Sequence, residues 1–525
     1  MRYSLLSAAA AASVIACMLP AGSVEAQSRA AAEAAMARMG LDGSNETVSY
    51  ESVDFRSGRY ILNDVTFTDP DAGGMREADG PDSVHIDRMV FEALRLAPNG
   101  DVLFDGLALE GLRVTDTTDG TAIRLDRISI DGPNAAMTAD FGRAVAGEND
   151  DDYDPAWNTY EFDAFRLEGL EGAGAEDGGL FEFSLDQFVV ENYSRIELGR
   201  LALIGFAFSG ADETGDDITV SLGEVSMLGF QTAAYADMMD AAASGAEESA
   251  VMDAYYQSAF LAPIDLYDSV AVRDILVEAS GVHFSMDYLT AEMERQGSRV
   301  LSTAALGSAM LIPDPTKPGG AQLAMGLGML GYDQLELSMA ANSIYDEDTG
   351  RAYTTGDNYI ELTDGLRLEM GQDISGYDAY LANMPGAMTA LTDAEDAGDE
   401  AQFNAMAEMM APLLINNITM RIVDLSILDR ALEAGAAAQG LTKEELRVQA
   451  GAMMGMGLMA APPEIPRPVL AELSTALTNF VNQGGSLHIE MSPPTPLSIG
   501  AMLDDMKTGS FDYASLGLSF TSEAP

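Results

Sequence analysis

A twelve-residue pattern constrains this chain more than any other feature. It reads small or polar, any, apolar, any, apolar, Asp or Gly, any, apolar, any, apolar, any, and usually Gly. Six copies occur: SVHIDRMVFEAL from Ser83, TAIRLDRISIDG from Thr121, NTYEFDAFRLEG from Asn158, FEFSLDQFVVEN from Phe181, SRIELGRLALIG from Ser194 and ITVSLGEVSMLG from Ile218. The sixth position holds Asp126, Asp163, Asp186, Gly199 and Gly223 in five copies, Asp87 is the fifth residue of the first, and four copies end in glycine, at Gly132, Gly169, Gly205 and Gly229. Apolar residues at positions three and five have the period of two of a strand with one buried face. Positions eight and ten keep that period with opposite parity. A one-residue slip turns side chains to the other face, so the backbone must bulge or turn at positions six and seven. Asp and Gly tolerate such a kink. Each unit thus predicts two short strands with a corner between them. The fold class expected is α+β and β-rich: long twisted antiparallel sheets of repeated short strand pairs, with Ala/Met-rich helices packed on them.

The rest of the chain divides by pattern. Residues 27–47 form an Ala-rich lead-in, read as a short helix or a mobile segment, and residues 48–230 form the β-repeat region. A hairpin is expected at Ser57-Gly58. Residues 231–265 lose the alternation and predict a helical connector, and residues 266–377 predict strands with one helix, placed over 289–311. Asp364-Gly365 marks a hairpin turn. Residues 378–483 predict helices interrupted by the strand NNITMRIVDLSI, and residues 484–525 predict closing strands. Within the helical stretch, Thr442 and Glu445 form a capping box. Val469, Leu470, Leu473, Leu477, Phe480 and Val481 share a helical face that stops at Gly484-Gly485.

The formal charge of −57, from 84 acidic and 27 basic residues, excludes binding to nucleic acid by phosphate neutralisation and disfavours an anionic membrane surface. At the N-terminus, Arg2 precedes the apolar run LLSAAAAASVIACMLPAG, and Val24-Glu25-Ala26 has the small residues of a cleavage site. Residues 1–26 thus predict a signal peptide and a periplasmic product. A second reading stays open: Val14-Ile15-Ala16-Cys17 fits a lipobox, with Cys17 as a lipid anchor and an outer-membrane lipoprotein as the product. No later stretch is long and apolar enough to span a membrane as a helix.

Candidate chemistry is sparse. His85, His283 and His488 lie far apart in alternating segments and are read as solvent-facing strand residues. Gly326-Leu-Gly328-Met-Leu-Gly331 has dinucleotide spacing but is followed by a strand, where that site needs a helix. Asp150, Asp152, Asp154 and Glu161 have the spacing of a calcium loop, with Pro155 where the loop requires Gly. Asp346, Asp348 and Gly350 are weaker still. Met453, Met454, Met456 and Met459 beside Gly451 and Gly455 predict an adaptable helix packed on a sheet. Acidic residues are too numerous to anchor an acid/base pair. The expectation is a protein with no catalytic residues, no cofactor and no metal.

The strings RIELGRLALIGF and IRLDRISIDGP resemble the strand repeats of AsmA/TamB-like periplasmic proteins of Gram-negative bacteria. The stretches LGYDQLELSMAANSIYDEDTG, NITMRIVDLSILDRALEAGAAAQGLTKEELR and NFVNQGGSLHIEMSPPTPL resemble YdgA-type secreted proteins. The first resemblance implies lipid trafficking and envelope maintenance, although the cleavable-looking leader replaces those proteins' membrane anchor. Two functions follow as expectations. One is a non-enzymatic carrier of lipid or acyl chains, with Leu201, Leu203, Val225 and Met227 as groove candidates. The other is an envelope scaffold that binds protein partners. The long Ala/Met stretches argue against an outer-membrane barrel.

Overall fold

The computed structural model describes residues 21–43, 48–68, 83–115, 122–146, 159–176, 179–211, 217–232, 266–395, 399–459 and 465–525. Among the described residues strands outweigh helices, so the chain is α+β and β-rich. It divides into two compact units, Met1–Glu213 and Thr214–Pro525.

The first unit is an antiparallel meander. Its main strands are β1 (Val48–Ser49), β2 (Ser52–Arg56), β3 (Arg59–Thr68), β4 (Ser83–Glu92), β7 (Gly106–Thr115), β8 (Ala122–Asp131), β9 (Phe162–Glu176), β10 (Gly179–Tyr193) and β11 (Glu197–Ala211), with a small ribbon of β5 (Arg95–Leu96) and β6 (Val102–Leu103). From β2 onward each main strand pairs with the next, and β1 pairs with β3. Helices α1 (Ala21–Arg38) and α2 (Ala135–Val145) join one core with this sheet. Ala32, Ala35, Met36, Met39 and Leu41 are at most 1% exposed, so the described part of the Ala-rich lead-in packs into the core. Small side chains let α1 approach closely, while Phe91, Phe104 and Phe141 pack edge to face.

The repeat units occupy single continuous strands. The expected corner is present inside them, as a rung at which pairing is skipped. Asn63 pairs with Arg88 and Val65 with Ile86, while Asp64 and Asp87 between them do not pair. The same gap falls at Asp87/Gly111, Gly111/Asp126, Asp126/Gly169, Asp186/Gly169 and Asp186/Gly205. Both strands yield at the same rung, so the register continues unchanged beyond it. Parity switches as the pattern requires: Tyr60 and Leu62, then Val65, face the core from β3, and Ile86, then Met89 and Phe91, do so from β4. The backbone conformation alternates along the row, with positive φ at Asp64, Gly111, Gly169 and Gly205. The remaining members of the row are Asp87, Asp126 and Asp186. Glycine is favoured where φ is positive because it lacks the Cβ that collides with the backbone.

The second unit continues the same style through β12 (Asp217–Gln231), β13 (Ser269–Ala279), β14 (Val282–Gln296), β15 (Arg299–Pro313), β16 (Leu335–Asp346), β17 (Arg351–Thr354), β18 (Tyr359–Leu362), β19 (Leu366–Ser375), β20 (Leu414–Asp424), β21 (Gly485–Met491), β22 (Leu497–Ser498) and β23 (Leu518–Glu523). Its helices are α3 (Pro318–Met329), α4 (Tyr377–Glu395), α5 (Asp399–Met410), α6 (Ile427–Gln439), α7 (Lys443–Met459), α8 (Arg467–Gln483) and α9 (Ile499–Thr508). The helix expected over 289–311 is instead the β14–β15 hairpin, turned at Gly297 with φ 69°. Ala, Leu, Met and Glu suggest a helix there, but their propensity advantage is only tenths of a kcal/mol per residue. Strand β15 pairs along both edges, with β14 and β16, and that tertiary pairing decides the outcome. The glycines at 326 and 328 lie inside α3, so no glycine-rich loop precedes a helix there. The connector expected at 231–265 falls almost wholly outside the described residues.

Three local readings agree with the structure in detail. Ser57 and Gly58 both take positive φ in the β2–β3 turn. The Thr442 hydroxyl accepts the Glu445 N–H at 3.2 Å, and the Glu445 carboxylate accepts the Thr442 N–H at 2.8 Å. On α8, Leu470, Ala476 and Phe480 are buried, Val469, Leu473 and Leu477 pack around that core, and Gly484 ends the helix.

Candidate functional site: an apolar groove in the second unit

Strands β17 and β18 share one slot between β16 and β19. Strand β17 pairs with the C-terminal part of β16 and β18 with its N-terminal part. Between them the chain loops out through Thr355, Gly356, Asp357 and Asn358, so neither strand fills the middle of the slot. Side chains replace the missing ladder. Asn358 Oδ1 accepts the Asn342 N–H at 2.6 Å, and Asn358 Nδ2 donates to the Thr355 carbonyl at 2.9 Å. Thr354 Oγ1 accepts the Gln372 N–H at 2.9 Å. Buried backbone groups must be paired, and these amide and hydroxyl contacts make the break stable.

The break opens a groove of about 360 Å³. Its walls include Met339 and Ala341 from β16, Ile360 from β18, Met370 from β19, and Ile418 and Met420 from β20. Residues opposite each other in an antiparallel pair share a face. Met339 lies opposite Ile360, Met370 opposite Met420, Met420 opposite Ile489, and Ile489 opposite Phe520. This face is therefore apolar from β16 to β23. Helix α8 covers it at Ile489 and Phe520. Over the groove Ile360 is 38% exposed and Met370 46% exposed. Methionine side chains are flexible and polarizable and adapt to irregular apolar ligands.

The opposite face at the same break is polar. A recess of about 220 Å³ is lined by Arg367, Glu369, Thr419, Arg421 and His488, among others. Arg367 lies between Glu361, at 3.2 Å, and Glu369, at 3.0 Å, with its guanidinium stacked 3.8 Å from the Tyr359 ring. Arg421 bridges Glu369 and Glu523, each at 3.4 Å. The cations here are spent on structural ion pairs. Beside the slot, hydrogen bonds from Arg351 hold the Asp373 carboxyl below its usual pKa, with help from Asn416.

The residues singled out from sequence fall elsewhere. Leu201 and Leu203 lie on β11 opposite Val190 and Phe188, and Val225 and Met227 lie on β12 opposite Val272 and Val270. All four are half-buried, and none lines this groove. Cys17, Asp150, Asp152 and Asp154 lie outside the described residues, and Glu161 is exposed just before β9. The side chains of Met454, Met456 and Met459 lie outside the description too, while Met453 is 60% exposed on α7. His283 contacts Glu278 at 2.9 Å, His488 lines the polar recess, and His85 stands beside Asp64 and Asp87. The groove residues were visible in sequence as alternating apolar positions in LELSMAANS, YIELTDGLRLEMG and NNITMRIVDLSI. What they lacked was any sign of which strands are neighbours and which face stays open.

A family model described only as an uncharacterized protein matches residues 359–523, which take in β18 to β23 and most of the groove wall. No curated protein matches the chain. Among the described residues, no helix is long and apolar enough to cross a membrane.

Proposed function

We propose that the protein is a non-enzymatic binder of acyl chains in the envelope of a Gram-negative bacterium, and that the groove over Met339, Ile360, Met370 and Met420 holds the chain. The observation that carries this reading is the half-open apolar slot, which has the size range of small-ligand sites and methionine-rich walls. The resemblance to AsmA/TamB-like and YdgA-type proteins, and the leader over residues 1–26, support the same placement. An envelope scaffold is the alternative, in which the slot is covered by a protein partner.

The test is native mass spectrometry of the protein produced in a bacterial periplasm, with titration of a fluorescent fatty acid. Wild type is expected to carry or take up one acyl chain. Met370→Asp and Ile360→Asp are expected to weaken uptake at least about tenfold, a loss of roughly 1.4 kcal/mol, with unchanged circular dichroism. An apo mass that persists after incubation with lipid would overturn the carrier reading. The same spectrum reports whether the chain starts at Gln27 or at a lipidated Cys17.

A further inference from the structure

We infer that the first unit carries a divalent-cation site built from Asp64, His85 and Asp87. The three residues each offer a ligand atom, all within 4.8 Å of one another. His85 Nε2 lies 3.3 Å from Asp87 Oδ1 and 4.0 Å from Asp64 Oδ1. The other ring nitrogen, Nδ1, lies 3.3 Å from Thr66 Oγ1. When Nδ1–H donates to that hydroxyl, the Nε2 lone pair faces two carboxylate oxygens. Thr66 then fixes the ring in the tautomer and orientation that a metal-binding imidazole needs. Arg113 holds Asp87 Oδ2 at 2.8 Å and leaves Oδ1 turned toward the ring. In that tautomer three ligand atoms face one small space, and a cation between them would engage all three.

The kinked row provides an internal comparison. At Gly111, Gly169 and Gly205 the positive-φ member is glycine, and the facing aspartate folds into the space that a Cβ would occupy. At the β3–β4 rung the positive-φ member is Asp64, with φ 52°. A second carboxylate therefore stands where glycine stands elsewhere, directly across from Asp87. Like charges opposite each other in a sheet are destabilising, and here an imidazole completes the donor set. The skipped rung at Asp274/Asp287 also has Asp at the positive-φ position, but no histidine forms a cluster of this kind with it among the described residues. One imidazole nitrogen and two carboxylate oxygens suit Zn²⁺ or Mn²⁺, with water completing the shell.

The unmodified protein allows a direct test, because it has three histidines. Titration with Zn²⁺, followed by the histidine ring signals in NMR, is expected to shift or broaden the His85 signal at one equivalent and leave His283 and His488 unchanged. Calorimetry is expected to give one site that His85→Ala and Asp87→Asn abolish, that Thr66→Val weakens about tenfold, and that Asp274→Asn leaves intact. The inference is overturned if Zn²⁺ leaves the His85 signal unmoved, or if folded His85→Ala binds Zn²⁺ as wild type does. The cluster is then a plain histidine–aspartate contact.

Discussion

A glycine with positive φ inside a strand leaves a space one side chain deep, and here an aspartate from the next strand fills it. A Cβ on Gly205 would lie 2.1 Å from Asp186 Oδ2, and one on Gly111 would lie 2.1 Å from Asp87 Oδ2. The pairing explains Asp at the sixth position and Gly at the twelfth in three cases, Asp126 with Gly169, Asp163 with Gly132 and Asp186 with Gly205, where each is the cross-strand complement of the other. Gly297, at φ 69°, has nothing within 4 Å of its Cβ position. Gly297→Ala should therefore cost only the left-handed backbone penalty, about 1–2 kcal/mol. Gly205→Ala should cost at least about 1 kcal/mol more, because Asp186 must leave its place as well. Urea unfolding of the two variants, read as the difference in midpoint at equal slope, checks this. The alternation of Asp and Gly was readable residue by residue. Their contact was not, because a period within one strand does not say which strand lies beside it.

At the scale of elements, α8 shows why an amphipathic helix can be read from sequence. Its apolar positions recur at helical spacing, and the structure buries that stripe against β21 and β23 through Phe480, Leu487 and Phe520. Phe480→Ala is expected to destabilise the second unit by about 3–5 kcal/mol, measured by thermal or denaturant unfolding with a probe in residues 359–523. The exposed Met370→Asp change should cost far less stability, since its side chain already meets solvent. The β14–β15 hairpin, where the sequence suggests a helix, has no such stripe. Residues of β15 such as Ser302, Thr303, Ala304 and Ala305 are small on both faces, so hydrophobic period carries little information there. Pairing with a neighbour on each edge supplies what propensity does not.

Over the whole chain, the excess of acid dominates the electrostatics. With a formal charge of −57, self-repulsion opposes the compact state, and the paired arginines of the sheets offset only part of it. Thermal stability at neutral pH should therefore rise as ionic strength goes from about 0.01 M to about 1 M, where the screening length falls from about 30 Å to about 3 Å. The gain should shrink once the medium is acid enough to protonate most carboxylates. Differential scanning calorimetry over a grid of salt and pH checks both parts. A melting temperature that falls steadily with salt at neutral pH would mean that the surface ion pairs outweigh the net repulsion.

What the sequence determined by itself is local: the β-rich class, the strand kinks at Asp and Gly, the Ser57-Gly58 turn, the Thr442–Glu445 cap and the buried stripe of α8. These follow from side-chain period and backbone preference, which act over a few residues. Tertiary structure alone decided which strands pair and which apolar face stays uncovered. It placed Met339, Ile360, Met370 and Met420 around one opening and drew Asp64, His85 and Asp87 to within 4.8 Å of one another. The physical reason is that a strand's apolar face is a demand for cover, and the chain folded around it decides whether that demand is met.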